Sequence, residues 1–173
     1  MYKFEPILKT LIWGSESWQL SGVPGSLSVV FEGPEKGKTV ADLLCEQHEQ
    51  LVGRRSYERY GDVFPLLIKF IEANLPLSVQ VHPNDELARK RHNSFGKTEM
   101  WYVLHAKKDA YLYAGFNRLL DPESYCRMVE DGSITKRWPS TRCRRAMCSS
   151  SPQDACTASA EGLIFLKSSR PGA

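Results

Sequence analysis

The residues best suited to chemistry lie in two short segments, "SVQVHP" and "GKTEMWYVL". Side chains two residues apart in a β-strand share a face, so Gln80 and His82 line one side of the first segment. Lys97 and Glu99 likewise share a face in the second segment. If the two strands are neighbours, an amide oxygen, an imidazole and a carboxylate converge, with an ammonium beside them. Nitrogen and oxygen donors of this kind, with an open coordination position, are what a catalytic Zn²⁺ requires.

The same residues also allow an interpretation without chemistry. A Gln-x-His strand is more often a solvated face, and a single glutamate on a strand usually faces water. His48 and His92 lie in charged, helix-like surroundings that indicate a surface position, and His105 at a strand end is typical of a structural histidine. The "RKRH" run is most simply a solvated basic face, although it could attract a phosphate. The residue pattern alone therefore favours a solvated face and leaves a metal site open.

Composition limits the classes of protein to which the chain can belong. Its 173 residues, 42% hydrophobic and 25% charged, are sufficient for one soluble domain with a core, or for part of a larger one. No apolar run approaches the roughly 18 residues of a membrane span, and the opening "MYKFEPILKTLIWG" lacks the apolar centre of a signal peptide. We therefore predict a cytoplasmic protein with no membrane partner. The five cysteines are odd in number and form no C-x-x-C pair, which argues against a disulfide framework or a cysteine zinc site.

The elements that would position the candidate donors follow from local pattern. Alternating or β-rich runs predict strands at "SWQLSG", "SLSVVFEG" and "LSVQVHP", the last with an apolar face of Leu77, Val79 and Val81. "FPLLIKFIEAN" is a continuous apolar run that fits a strand or a helix by periodicity alone, and its Pro65 start and Asn74 end favour a buried strand. "TEMWYVLHA" and "DAYLYAGF" predict a hairpin joined by "KKD". Helical spacing and cap residues predict helices at "KTVADLLCEQHEQLVG", "NDELARKRHN" and "DPESYCRMVEDGSI". The whole is an antiparallel, β-rich domain with helical insertions.

Two longer stretches resemble a known enzyme family. "PLLIKFIEANLPLSVQVHPNDELA" followed by "GKTEMWYVL" resembles type I mannose-6-phosphate isomerase in its short bacterial form, and "FEPILKTLIWG" with "ESWQLSG" resembles its N-terminus. The similarity runs from Met1 to about Lys136. It implies a mainly β fold, a cupin-type (jelly-roll) antiparallel β-barrel with helical insertions. It also implies a zinc-dependent aldose–ketose isomerase that interconverts mannose 6-phosphate and fructose 6-phosphate.

The resemblance assigns roles to the residues at the matching positions. Gln80, His82 and Glu99 match ligands of one Zn²⁺ per chain, and Lys97 matches an active-site lysine. In aldose–ketose isomerisation a Lewis acid polarises the oxygens of the sugar, and a cation stabilises the negative charge of the enediol. Lys97 would be that cation or a partner of the phosphate. No residue is marked as the catalytic base.

Two further residues match the family's pocket, Ser78 and Trp13. The expected partner is a small-molecule sugar phosphate, and the sequence specifies no oligomeric state. A non-catalytic, cupin-like module that binds a sugar phosphate or a metal is the alternative. It would bind the sugar phosphate without turning it over.

The composition changes abruptly after Lys136. Residues 137–160 contain no Val, Ile, Leu, Phe or Tyr, so no strand or amphipathic helix is predicted there, and only "GLIFL" returns to apolar character. Six of the 23 basic residues and two of the 20 acidic ones lie in 137–173, so this segment carries the excess positive charge. Without interleaved aromatics or a fold signature, it does not indicate a nucleic-acid partner. We predict residues 1–136 as the N-terminal part of a cupin-type isomerase domain, incomplete at its C-terminus, and 137–173 as a disordered or poorly packed tail.

A change of reading frame would explain the tail. If one base is restored near Lys136, permitted codons for residues 143–160 read "VQKGDVFFLPAGRVHGIG", and those for 161–171 read "GGAYLLEIQQT". The first string resembles the family segment that carries a fourth zinc ligand, and its histidine spans Cys156 and Thr157. The first base of each restored codon depends on which synonymous codon is chosen for the preceding residue. The second and third bases are mostly fixed by the residue at that position. We therefore interpret the tail as frameshifted and predict a truncated, impaired enzyme; a natural basic tail is the alternative.

Overall fold

The computed structural model describes residues 1–78, 80–116, 119–137, 140–143, 145, 147–151, 156–159 and 162–170. Val79, which we predicted on an apolar strand face, lies outside these residues. The strands within them are β1 Ile7–Leu11, β2 Gly14–Ser21, β3 Leu67–Ala73, β4 Gln80–Val81, β5 Glu99–Ala106, β6 Tyr111–Ala114, β7 Ser140–Arg142, β8 Cys148–Ser151, β9 Cys156–Ser159 and β10 Leu163–Ser169. The α-helices are α1 Val40–Gln47, α2 Glu49–Val52, α3 Arg54–Tyr60, α4 Asp85–His92 and α5 Pro122–Glu130, and a 3₁₀ helix covers Ser133–Arg137.

The strands form two antiparallel sheets. The larger sheet has six strands in the order β1-β2-β3-β10-β5-β8, and the smaller has four in the order β4-β9-β6-β7. All of the strand pairs are antiparallel. This architecture confirms the prediction of an antiparallel, β-rich domain with helical insertions.

The hydrophobic core lies against the larger sheet, because its central strands alternate between buried and outward-facing side chains. Along β5, Glu99, Trp101 and Val103 are buried while Met100 and Tyr102 are exposed. Strand β10 alternates in the same way. The rings of Trp101 and Phe165, from β5 and β10, stack with centroids 5.2 Å apart. These aromatic contacts join the centre of the sheet to the core.

The helices begin at cap residues that the sequence already indicates. Thr39 caps α1 through a capping box with Asp42, and the Asn84 side chain accepts a hydrogen bond from Leu87 N at the start of α4. The Asp121 side chain caps α5 at the predicted Asp-Pro signal. The predicted helix over 38–53 is divided into α1 and α2 at His48, whose φ is +48°. None of the helices within the described residues has the length and hydropathy to cross a membrane.

Two local predictions are wrong. Strands β5 and β6 do not form a hairpin, because β5 pairs with β10 and β8 while β6 pairs with β7 and β9, so the "KKD" turn carries the chain from one sheet to the other. "SLSVVFEG" forms only isolated bridges, from Val30 to Phe4 and from Val29 to Thr39. Its backbone groups bond instead to loops on either side. Strand pairing is a non-local choice, and local pattern does not specify it.

The C-terminal segment also departs from its prediction. Strands β7, β8 and β9 lie within 137–160, where no strand was predicted, and β10 is inserted between β3 and β5. The prediction of a disordered or poorly packed tail is therefore wrong for Leu163–Ser169. Burial of Leu163 and Phe165 on the core face explains why this strand packs.

Candidate active site

A row of four side chains crosses the larger sheet. Trp18 of β2, Lys69 of β3, Lys167 of β10 and Trp101 of β5 occupy successive directly opposed positions. The Lys69 ammonium lies 5.5 Å from the centroid of the Trp18 ring, and the Lys167 ammonium lies 5.3 Å from that of Trp101. Both are cation–π distances. Two buried ammonium groups therefore lie at the centre of the sheet.

Glu99 receives most of the polar contacts at this site. Its side chain is 1% exposed, and its Oε1 lies 2.7 Å from Lys167 Nζ and 3.2 Å from Lys97 Nζ. The same oxygen is 3.3 Å from His82 Nε2. Trp101 Nε1 donates a hydrogen bond to the other oxygen, Oε2, at 3.3 Å. Three cationic or imidazole groups thus converge on one carboxylate oxygen.

The electrostatics follow from burial and from these neighbours. Burial raises the pKa of Glu99, but His82, Lys167 and Lys97 outweigh that effect and hold the pKa far below its ordinary value of 4.5. Burial lowers the pKa of Lys167 to about 8, against the opposing effect of Glu99. The carboxylate is therefore ionised at neutral pH, and it lies in surroundings with an excess of positive charge.

Two of the predicted metal donors come together. His82 Nε2 and Glu99 Oε1 are both buried, and neither forms a hydrogen bond of regular geometry within the described residues. We call them orphaned in this sense only, because Oε1 has the ion-pair contacts to Lys167, Lys97 and His82 given above. Their separation of 3.3 Å matches that of two ligands on one tetrahedral zinc, about 3.3 Å for bonds of roughly 2.0–2.1 Å. Two orphaned donors at this spacing fit a shared metal ion.

The third predicted donor is less well placed. Gln80 is exposed on β4, two residues before His82. In the part of the chain that the structure describes, no three histidine, cysteine or carboxylate side chains form a metal-binding group. The donors also come from different sheets, since β4 and β5 are not neighbours as the sequence argument supposed. His82 and Glu99 meet because each lies at the end of a strand, just after β4 and at the start of β5.

A cavity of about 630 Å³ opens beside this site. Its lining includes three cations, Lys69, Arg89 and Lys97, together with Trp18 and Ser169. Ser169 is 2% exposed, and its Oγ has no hydrogen-bond partner among the described residues. The cavity thus offers positive charge and a buried hydroxyl next to the orphaned donors.

The two predicted pocket residues lie elsewhere. Ser78 is exposed, and Trp13 packs against the hydrophobic core with its carbonyl oxygen accepting from the backbone of Asn74 and Leu75. Neither is among the described residues that line the cavity. Their roles in binding stay predictions.

Comparison with known proteins identifies the family. The family model for the catalytic domain of type I phosphomannose isomerase matches residues 6–109. The chain belongs to this family. It is 38% identical to mannose-6-phosphate isomerase ManA of Bacillus subtilis over 146 residues, covering 75% of this chain and 44% of that protein. It is 41% identical to the mannose-6-phosphate isomerase of Streptococcus mutans over 100 residues, covering 58% of this chain and 30% of that protein.

Solved structures of phosphomannose isomerases share the fold. The structure of mannose 6-phosphate isomerase from Bacillus subtilis superposes with a TM-score of 0.87 at 25% identity, covering 99% of this chain and 59% of that one. A point mutant of the Salmonella typhimurium enzyme gives 0.77 at 12% identity, covering 99% and 68%. These structures have a cupin fold, which confirms the predicted fold class. The chain spans less than half of the length of the sequence relatives named above.

Sequence reasoning missed three residues of this candidate site, Lys69, Lys167 and Ser169. Two of them lie in the segment that we interpreted as a poorly packed tail. The available signal was the alternation in "LIFLKSS", which places Lys167 and Ser169 on the same face as the buried Phe165. The same alternation shows that β10 carries polar groups into the site.

Proposed function

We propose that this chain is a zinc-dependent isomerase of mannose 6-phosphate and fructose 6-phosphate. The observation that carries the proposal is the orphaned pair, His82 Nε2 and Glu99 Oε1, 3.3 Å apart beside a cationic cavity. His82 and Glu99 would hold the metal, with Gln80 as the third donor. When bound, zinc would supply a Lewis acid toward the oxygens of the sugar.

The residues of the cavity account for binding of the phosphate ester. Lys69 and Arg89 line it, and either cation can form charge-assisted hydrogen bonds to a phosphate. The Ser169 hydroxyl, buried without a partner, is suited to a hydroxyl of the sugar. A sugar phosphate is the class of ligand that would use both kinds of group.

Lys97 links the cavity to the orphaned donors. It lines the cavity, its side chain is 20% exposed, and its ammonium lies 3.2 Å from Glu99 Oε1. A cation at this position can stabilise the negative charge that develops on the sugar's oxygens when the α proton leaves. Lys97 is thus the residue of this chain that we propose to act on the enediol.

We also propose that this chain binds its metal weakly and turns over its substrate slowly. The restored frame places its histidine at position 157, and the β4–β9 register sets that position directly opposite Gln80. This register supports the interpretation that a fourth donor belongs beside the other three. Without it, metal affinity and turnover are expected to be low. Sequencing the gene across codons 135–138 tests the frameshift; an intact frame with no lost base would contradict it.

A coupled assay that follows fructose 6-phosphate formation tests the function. The full chain should turn over mannose 6-phosphate, lose activity with a chelator and regain it with zinc. Glu99→Gln should lower turnover by about 100-fold or more, because it removes both the charge and the donor. Glu32→Gln is the control: it removes the same charge from an exposed glutamate that pairs with Lys3, so turnover should not change. Turnover that persists in Glu99→Gln would contradict the proposal.

The non-catalytic alternative has a distinct outcome. Tight binding of mannose 6-phosphate without turnover, whether or not zinc is added, would indicate a cupin-like binding module. The Lys167 ammonium 2.7 Å from Glu99 favours this alternative, since it adds a cation where a metal would bind. A cytoplasmic location stays a prediction.

A further inference from the structure

Lys167 is the cation nearest to the Glu99 carboxylate among the described residues. Its Nζ lies 2.7 Å from Oε1, compared with 3.2 Å for Lys97 Nζ. Oε1 is also the oxygen that faces His82 Nε2 at 3.3 Å. The ammonium therefore contacts the atom that would ligate a metal ion.

The position of Lys167 is held by its surroundings. Strand β10 is paired on both sides, with Lys167 opposite Lys69 on β3 and opposite Trp101 on β5. Its side chain is 8% exposed and its ammonium lies over the Trp101 ring. Lys97 differs, because it is 20% exposed and lines the cavity, where it can turn toward a substrate.

One carboxylate oxygen cannot accept a buried ammonium and a divalent cation at contact distance without strong repulsion between the two cations. We propose that the Lys167 ammonium is an internal cation that competes with a divalent metal for Glu99 Oε1. The inference rests on the ligand pair of the proposed function. It identifies a residue that sets the metal affinity of this chain.

The reading frame supports this assignment. In the restored frame the second and third bases of codon 167 are AA, and a G as the first base gives the glutamate of the string "GGAYLLEIQQT". With that base, the frame in which the chain is written reverses the charge of a β10 side chain that contacts the Glu99 carboxylate. A carboxylate there would attract a metal ion, whereas the ammonium repels it.

Zinc affinity, measured on the full chain by competition with a chromogenic chelator, tests the inference without an activity assay. Lys167→Met should bind Zn²⁺ at least about tenfold more tightly than the parent chain, because it removes the competing charge and keeps the length of the side chain. Lys69→Met is the matched control. It removes a largely buried ammonium at the directly opposed position, but that ammonium pairs with Glu16 at 2.6 Å and not with Glu99, so zinc affinity should change much less than in Lys167→Met.

The outcomes separate this inference from the proposed function. Equal zinc affinity in the parent and Lys167→Met overturns the inference and leaves the proposed metal ligands intact. Zinc binding by neither chain overturns both. Lys167→Gln, with circular dichroism of each chain, replaces Lys167→Met if the methionine variant does not fold.

A second measurement needs no substitution. Acetylation of lysines in the parent chain, resolved by mass spectrometry, should increase at Lys167 by several-fold when saturating zinc displaces the ammonium from Glu99. Labelling of Lys69 should not change. Zinc that binds without any increase at Lys167 overturns the inference.

Discussion

Lys69 and Lys167 lie at directly opposed positions on β3 and β10, and each ammonium contacts a buried glutamate on the strand beyond. Lys69 pairs with Glu16 at 2.6 Å, and Lys167 pairs with Glu99 at 2.7 Å. Each glutamate precedes by two residues a tryptophan that donates a hydrogen bond to it. The sheet thus contains the same arrangement twice. Only the Glu99 copy has a histidine beside it, and this difference separates the candidate site from a structural ion pair.

The Glu16 copy should be structural. Glu16→Ala leaves the Lys69 ammonium buried without its carboxylate, which we expect to destabilise the protein by about 3 kcal/mol. Urea denaturation followed by tryptophan fluorescence measures this change. Glu32→Ala is the control, since its pair with Lys3 is exposed on both sides and its loss should have no measurable effect. A Glu16→Ala chain as stable as the parent would contradict the structural role.

Stability should fall in acid because of Glu99. Its folded-state pKa lies below the ordinary 4.5, so on acidification the unfolded chain binds the proton first. The stabilisation that the ionised Glu99 carboxylate gives the folded state is therefore present above about pH 4.5. It is lost as the pH falls toward the pKa of Glu99 in the folded protein. Thermal unfolding between pH 3 and 7 measures it. Glu99→Gln should flatten this dependence, and an equally steep profile in the variant would show that another group is responsible.

The Arg170 side chain should hold the end of β10 against the segment before β5 through hydrogen bonds and an ion pair. Its Nε donates to Gly96 O at 2.8 Å and its Nη2 to Asp85 Oδ1 at 2.5 Å, while the residue is 9% exposed. Arg170→Ala should destabilise the protein by about 2 kcal/mol. It should also raise hydrogen exchange of the Gly96 amide, which donates to Asp85 Oδ1.

Two control variants sharpen the Arg170 test. Arg170→Lys should recover less than half of the loss, because an ammonium lacks the planar fork of the guanidinium. Arg127→Ala removes an exposed helical pair with Glu123 and should leave stability unchanged. If Arg170→Ala leaves the hydrogen exchange of the Gly96 amide unaltered, the Arg170 contacts do not order the segment around Gly96.

Cys143 should react slowly with alkylating reagents. Burial raises the pKa of its thiol to about 11, from an ordinary value of 9, so at pH 8 it carries about 100-fold less thiolate than an unperturbed thiol. Cys45 and Cys126 are exposed and provide internal references. Site-resolved mass spectrometry after timed iodoacetamide treatment should show Cys143 labelled last of the three. Equal rates in the folded protein would mean that Cys143 is accessible.

Local pattern predicted the features that depend on neighbours in the chain. The capping residues Asn84 and Asp121 begin α4 and α5, and strands form around Trp18, Ile71 and Trp101 where strands were predicted. Pairing was less predictable. The sequence suggests that "TEMWYVLHA" and "DAYLYAGF" form a hairpin, but each pairs with strands from the C-terminal segment. Such pairings depend on contacts between residues far apart in the chain, which local pattern does not encode.

The sequence by itself determined the family and predicted His82 and Glu99 as metal donors, because both lie in segments whose residue types and spacing are specific. The tertiary structure alone decided that the two donors meet from different sheets, and that Lys167 reaches the same carboxylate oxygen. The physical reason is that a strand's partners are chosen by burial of its apolar face. The apolar side chains of β10 are buried when this strand pairs between β3 and β5. Because Lys167 lies on the same face of β10, the same pairing places it in the site.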